Sequence, residues 1–193
     1  FMVLVTGATG ILGRVIVLDL LKQGKTVRAT KRPSSNVEEV RKSFAFYTND
    51  PDLYFDQIQW VDVDFEDVFA LENIVKGVEE VYHCAAKVSF HPKDKREMYQ
   101  ANIEGTKQLL YACQDSSVEK FCFVSSIAVL DGFNEEGEMD ENSDFNSKLE
   151  HSAYAKSKHF AEMEVWRASA EGLKVVIVNP GVIIGSGNWN ASS

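Results

Sequence analysis

Cysteine is scarce in this 193-residue chain: Cys84, Cys113 and Cys122 are odd in number, far apart, and each set in an apolar stretch. That spacing supports neither a disulfide framework nor a metal site, so buried reduced thiols and no bound metal are expected. Four prolines and 12 glycines are too few for a collagen-like or low-complexity chain, and 45% hydrophobic with 25% charged residues is ordinary globular usage. No apolar run reaches the ~18 residues of a membrane-spanning helix. The longest, such as Val175-Val176-Ile177-Val178, are strand-sized. Positive charge is also in deficit: 20 lysines and arginines against 29 aspartates and glutamates leave a net charge of −9. Neither nucleic acid nor an anionic membrane is an expected partner, because both reward positive charge. A small anionic ligand stays open, since backbone amides and one or two bases suffice to hold a phosphate. The N-terminus enters a strand directly with no targeting segment, so a cytoplasmic location is expected.

Short β-branched runs alternate with helical periodicity. Strands are predicted at Met2–Thr6, Thr26–Thr30, Ile58–Val61, Glu80–Ala85, Lys120–Ser125 and Lys174–Asn179. Helices are predicted at Ile11–Gln23, Asn36–Lys42, Val68–Lys76, Lys95–Gln114 and Ser152–Ala170, with an extra short helix opening at Asp50-Pro51. Strands such as Phe121-Cys122-Phe123-Val124 are apolar nearly throughout, as when helices cover both faces of a parallel sheet. The alternation predicts an α/β fold, a doubly wound parallel sheet of Rossmann type. Asp131 to Glu150 is a polar, acidic stretch after the fifth strand, read either as a solvated loop or as a lid over the strand ends.

The first strand runs into Thr6-Gly7-Ala8-Thr9-Gly10-Ile11-Leu12-Gly13. Gly7 permits the tight strand-to-helix turn, Gly10 removes a Cβ where backbone meets a pyrophosphate, and Gly13 lets the helix lie close to the sheet. The free N–H groups of the helix start, with Thr9, Ile11 and Leu12 among them, suit phosphate. These residues are candidate dinucleotide contacts. An acidic residue at the end of the second strand would bond a ribose 2′-hydroxyl, but Arg28-Ala29-Thr30-Lys31-Arg32 carries no carboxylate. Lys31 and Arg32 would instead attract a 2′-phosphate, so NADP(H) is favoured over NAD(H), with Arg32 the better fork for phosphate. Asp64-Phe65 after the third strand and Cys84-Ala85-Ala86 closing the fourth are further candidate cofactor contacts, for adenine and ribose respectively. Val124 and Ser125 close the fifth strand on the same edge.

Tyr154 and Lys158 lie four residues apart in a helical stretch and share a face, whereas Lys156 points away. A lysine ammonium beside a phenol stabilises the phenolate, and the expected result is a tyrosine acidic enough for proton exchange near neutral pH. Ser125-Ser126 at a strand end can bond the reacting oxygen, and Asn102 can hold a water or a backbone carbonyl behind the lysine.

Together these motifs resemble the extended short-chain dehydrogenase/reductases, the NAD(P)-dependent epimerase/dehydratase group. The likeness rests on Thr6-Gly7-x-x-Gly10-x-x-Gly13, Asp64, His83-Cys84-Ala85-Ala86, Asn102-Ile103-Glu104-Gly105-Thr106, Ser125-Ser126, Tyr154-x-x-x-Lys158 and Asn179-Pro180-Gly181. It implies Ser126, Tyr154 and Lys158 as a catalytic triad and places Pro180-Gly181-Val182 near a nicotinamide. Val27 to Arg32 is more similar to dihydroflavonol-reductase-like members, which implies NADPH-dependent reduction of a carbonyl; a nucleotide-sugar epimerase and a non-catalytic dinucleotide-binding protein are the alternatives. Substrates implied are small carbonyls, alcohols or nucleotide sugars, and a homodimer through the helices of Asn102 and Tyr154 fits the group. Family members continue past Asn-Pro-Gly into a smaller substrate domain. Residues 1–193 are therefore expected to be the NAD(P)-binding domain, the N-terminal part of a longer enzyme. Asn190-Ala191-Ser192 matches a glycosylation sequon and is read as coincidence.

Overall fold

In the computed structural model, residues 1–186 are described; the sequon at Asn190-Ala191-Ser192 lies outside them. Six strands form one parallel sheet: β1 (Met2–Thr6), β2 (Thr26–Lys31), β3 (Gln59–Asp62), β4 (Glu80–His83), β5 (Lys120–Val124) and β6 (Lys174–Val178). Their spatial order is β3-β2-β1-β4-β5-β6, with the chain reversing direction of travel between β1 and β4. In such a sheet the crevice beyond the carboxyl ends at that reversal is where ligands bind.

The sequence explains which strands are central. Val3, Leu4 and Val5 of β1 are wholly buried, because helices cover both faces. On one face Val3, Val5, Val27 and Ala29 pack against α1 (Ile11–Lys22) and α2 (Glu38–Phe44), through Val17, Leu18, Leu21, Val40 and Phe44. The short α3 (Pro51–Phe55) follows, with its proline in the first turn as Asp50-Pro51 predicts. On the other face Leu4, Val81, Phe121 and Phe123 meet α4 (Val68–Ile74), α6 (Gly105–Gln114) and α7 (Ala153–Ala170). Each such buried side chain contributes roughly 1.5–3 kcal/mol by leaving water.

The helix predicted over Lys95–Gln114 is interrupted. It runs as α5 (Lys95–Tyr99), a π-helical turn over Gln100–Glu104, then α6. The wider turn carries Asn102, which is buried. The acidic stretch 131–150 is an irregular loop tied at its two ends. Asp131 Oδ2 takes the Asn146 N–H at 2.7 Å and the His151 imidazole at 2.8 Å, and Phe145 stacks between His151 and His159. The cysteines are free, Cys113 buried and Cys84 and Cys122 half-buried. Among the described residues no cluster of His, Cys, Asp and Glu is arranged for a metal, and no helix is long and apolar enough to cross a membrane.

Candidate active site

The glycine turn sits at the crossover. Gly7 has φ +65°, and a Cβ there would lie 2.6 Å from the Ala85 backbone nitrogen just past β4. A Cβ on Gly13 would come within 2.1 Å of the Gly7 carbonyl oxygen, so α1 presses against the turn only because that side chain is missing. Gly10, by contrast, is exposed and faces a single neighbour, the Gly7 carbonyl, at 3.2 Å. The turn is therefore rigid behind and open in front, where phosphate oxygens would meet the N–H groups at the start of α1. Arg14 is buried against this turn: its guanidinium donates to the carbonyls of Thr9 and Gly10. Burial lowers its pKa.

At the end of β2 the structure changes the reading of the bases. Lys31 pairs across the strands with Asp62, Nζ to Oδ1 at 2.5 Å, because β2 and β3 register Lys31 beside Asp62. Lys31 is thus not a free cation; Arg32 stands exposed next to it. Asp64 is exposed and caps its own turn by accepting the Glu66 N–H at 2.9 Å. The Phe65 ring turns inward, 5.8 Å from the His83 ring and against Gly105, so little beyond its backbone faces the crevice.

His83 fills the space behind Cys84, Ala85 and Ala86. It is wholly buried and bridges Thr6 Oγ1 at 2.6 Å and Thr106 Oγ1 at 2.8 Å, joining β1, β4 and α6. Burial, with the nearby Lys158 charge, lowers its pKa to about 3, so it stays neutral.

Tyr154, Lys158 and Ser126 converge from α7 and the end of β5. Lys158 is buried, donates from Nζ to the Val124 carbonyl at 2.7 Å, and lies 4.4 Å over the Phe123 ring. Burial lowers its pKa to about 8. The phenol does not behave as the spacing alone predicts. Burial raises the Tyr154 pKa, and the Ser126 hydroxyl, which stabilises the phenolate, only partly opposes the rise. Lys158 is turned toward Val124, so desolvation of the ring outweighs its charge. Ser126 also caps the short helix that follows, accepting the Ala128 N–H at 3.1 Å. Ser125 is buried and its hydroxyl has no partner among the described residues. An unpaired buried hydroxyl is costly, and its place beside the crevice fits a bound polar group.

The backbone carbonyl that Asn102 holds belongs to Lys87. The Asn102 amide clamps the backbone of Lys87, accepting the N–H at 2.7 Å and donating to the carbonyl at 2.8 Å, and it donates to Ser157 Oγ at 3.0 Å. Ser157 Oγ in turn donates to the Tyr154 carbonyl at 2.7 Å. Sequence reasoning passed over Ser157; its signal was a poor helix former inside the helix, between the two residues of interest. Past β6, the Pro180 carbonyl accepts the Ile127 N–H at 3.0 Å, which brings this segment beside Ser126. Val182 is almost fully exposed.

A family model described as the NAD dependent epimerase/dehydratase family matches residues 3–193. The chain belongs to the NAD dependent epimerase/dehydratase family. Within and around that family, it is 34% identical over 183 residues to a Synechocystis protein provisionally named dihydroflavonol 4-reductase, covering 94% of this chain and 49% of that protein. It is 30% identical over 194 residues to the sterol demethylase protein B of Methylococcus capsulatus, covering 98% and 53%. Among solved structures it resembles a short-chain dehydrogenase/reductase superfamily protein from Agrobacterium tumefaciens with bound NAD. There the TM-score is 0.68 and the identity 30%, over 93% of this chain and 48% of that one. The chain spans about half the length of the curated relatives it matches. In a sheet of this order dinucleotides bind in the crevice where the strand order reverses, which the open Gly10 face and the unpaired Ser125 hydroxyl border.

Proposed function

We propose that this chain is the dinucleotide-binding half of an oxidoreductase that reduces a small carbonyl compound, with Tyr154 as proton donor and NADP(H) preferred. The observation that carries the reading is the convergence of Tyr154, Ser126 and Lys158 at the carboxyl ends of β5 and α7's first turns, beside the glycine turn. A dinucleotide would rest its pyrophosphate on the turn from Gly7 to Gly13, with Thr9, Ile11 and Leu12 presenting backbone. Asp64, Cys84 to Ala86, Val124, Ser125 and Pro180 to Val182 would line the remainder. Bound there, the nicotinamide supplies a hydride.

The chain's own residues supply the proton. Partial burial raises the Tyr154 pKa above its ordinary value of 10, so the phenol keeps its proton at neutral pH, the state a donor needs before reduction. Ser126, whose hydroxyl stabilises the phenolate, orients the carbonyl oxygen and takes up charge as the proton leaves. Lys158, with a pKa near 8, is poised to carry the positive charge that steadies that phenolate, moving from its resting bond to the Val124 carbonyl. Asn102 is a positioning residue, since it holds the Lys87 backbone and, through Ser157, the turn of α7 that carries Tyr154. The NADP(H) preference rests on exposed Arg32.

The test is Tyr154→Phe in the full-length protein, assayed for NADPH oxidation with a panel of ketones and aldehydes and for NADPH binding. Turnover is expected to fall at least a hundredfold, as for loss of a general acid, with binding within twofold. Undiminished turnover would exclude Tyr154 as the donor. NADPH that binds tightly with no turnover on any carbonyl, in wild type as well, would favour the non-catalytic alternative.

A further inference from the structure

A carboxylate stands at the position from which the sequence had removed one. The end of β2 is where this kind of sheet meets the ribose 2′-substituent, and an acid there selects a hydroxyl over a phosphate. Along the chain that end reads Lys31-Arg32, both basic. In space, β3 runs parallel to β2 with Asp62 registered beside Lys31, and the carboxylate touches the ammonium at 2.5 Å. Lys31 keeps 20% of its side chain exposed and Asp62 55%, so the acid is the more open of the two. The local charge at this strand end is therefore not two cations. It is an internally neutralised pair with its acid outward, and Arg32 beside it.

We infer that Asp62 limits the NADP(H) preference of this chain. It holds the Lys31 ammonium away from a 2′-phosphate and opposes that phosphate with its own charge, while offering an acceptor to a 2′-hydroxyl. Arg32 then carries the attraction for the phosphate by itself. Removing the Asp62 charge frees Lys31 and moves binding toward NADP(H). The inference rests on the dinucleotide reading above, but needs no turnover.

The experiment uses the full-length protein and calorimetric titration with NADPH and NADH. Wild type, Asp62→Asn, Lys31→Met and the double variant Lys31→Met/Asp62→Asn are compared at low and high salt. Asp62 is exposed, so Asp62→Asn is expected to melt as wild type does. Its Kd ratio of NADH to NADPH is expected to rise about five- to tenfold at low salt, the weight of one unit charge a few ångströms away near the surface. High salt should shrink that rise. In Lys31→Met the ratio is expected to fall, because the unpaired Asp62 charge then faces the 2′-phosphate, and in the double variant it is expected to return to within twofold of wild type. A ratio unmoved in Asp62→Asn would overturn the inference and leave the dinucleotide reading standing. So would a double variant that loses its NADPH affinity tenfold, since Lys31 would then be reading the phosphate despite Asp62. A wild type that binds neither dinucleotide would overturn both.

Discussion

Two neighbouring glycines in one turn should fail in different ways when given the same methyl group. Gly13 has no room for it: a Cβ would sit 2.1 Å from the Gly7 carbonyl oxygen, 2.8 Å from its carbon and 3.0 Å from the Ala8 Cα, all backbone atoms that cannot rotate aside. Overpacking an ordinary core costs about 1–3 kcal/mol, and this clash belongs at or beyond the upper end. At about 2–4 °C per kcal/mol for a domain of this size, Gly13→Ala should lower Tm by roughly 6–12 °C or more. Gly10 is the N-cap of α1 with φ −76° and ψ 168°, a conformation alanine adopts freely, and its Cβ would meet one atom at 3.2 Å. The cap loses up to ~1 kcal/mol, and the lower freedom of the unfolded chain returns about 0.4–1 kcal/mol. Gly10→Ala should therefore melt within about 4 °C of wild type. Its methyl, however, occupies the surface on which phosphates would rest. Losing one charge-assisted hydrogen bond of about 1.5–3 kcal/mol weakens NADPH binding by tenfold or more. Paired thermal melts and NADPH titrations of the two full-length variants check both halves. A Gly10→Ala protein that binds NADPH as wild type does would refute the placement of the pyrophosphate on this turn. A Gly13→Ala protein that melts as wild type does would refute the packing.

Lys158 and His83 give pH effects of the same sign in different windows, with one cause, the burial of a base. The folded chain releases the Lys158 proton near pH 8, while the unfolded chain holds it to the ordinary 10.5. The unfolded state binds more protons in that window, so unliganded stability rises from pH 8 toward 10.5. Lys158→Met should melt no lower than wild type at pH 7, despite losing activity; a fall of several degrees would show that the buried ammonium stabilises the unliganded fold. For His83 the folded pKa is about 3 against the ordinary 6.5, so stability is full above pH 6.5 and is lost as pH falls through that window. His83→Gln should flatten the melting-temperature profile between pH 6.5 and 4, and a profile as steep as the wild type's would place the acid sensitivity elsewhere.

Much of this fold was legible because its signals are local. Each strand was a short β-branched or aromatic run, and the predicted ends lie within two residues of the observed ones. Asp50-Pro51 announced α3, since proline suits the first turn of a helix. Tyr154 and Lys158 could be placed on one face from spacing alone. What the sequence withheld depends on neighbours distant along the chain. The pairing of Lys31 with Asp62 is set by the register of β2 against β3, which neither strand encodes by itself. The turn of Lys158 toward the Val124 carbonyl, and the raised pKa of the phenol it was expected to acidify, follow from burial between α7 and β5. The π-helical turn at Asn102 is a change of hydrogen-bond register, and its residues, Gln-Ala-Asn-Ile-Glu, carry no helix breaker to mark it.

The central claim, that this chain serves hydride transfer to a carbonyl with Tyr154 supplying the proton, is tested most directly by isotope. The full-length protein is given NADPH carrying deuterium at both nicotinamide C4 positions and a carbonyl substrate found by screening. Mass spectrometry should find one deuterium on the carbinol carbon for each NADPH oxidised, and Tyr154→Phe should bind the same cofactor without transferring the label. Cofactor that binds with no label reaching any carbonyl, or label transferred equally well by Tyr154→Phe, would contradict it.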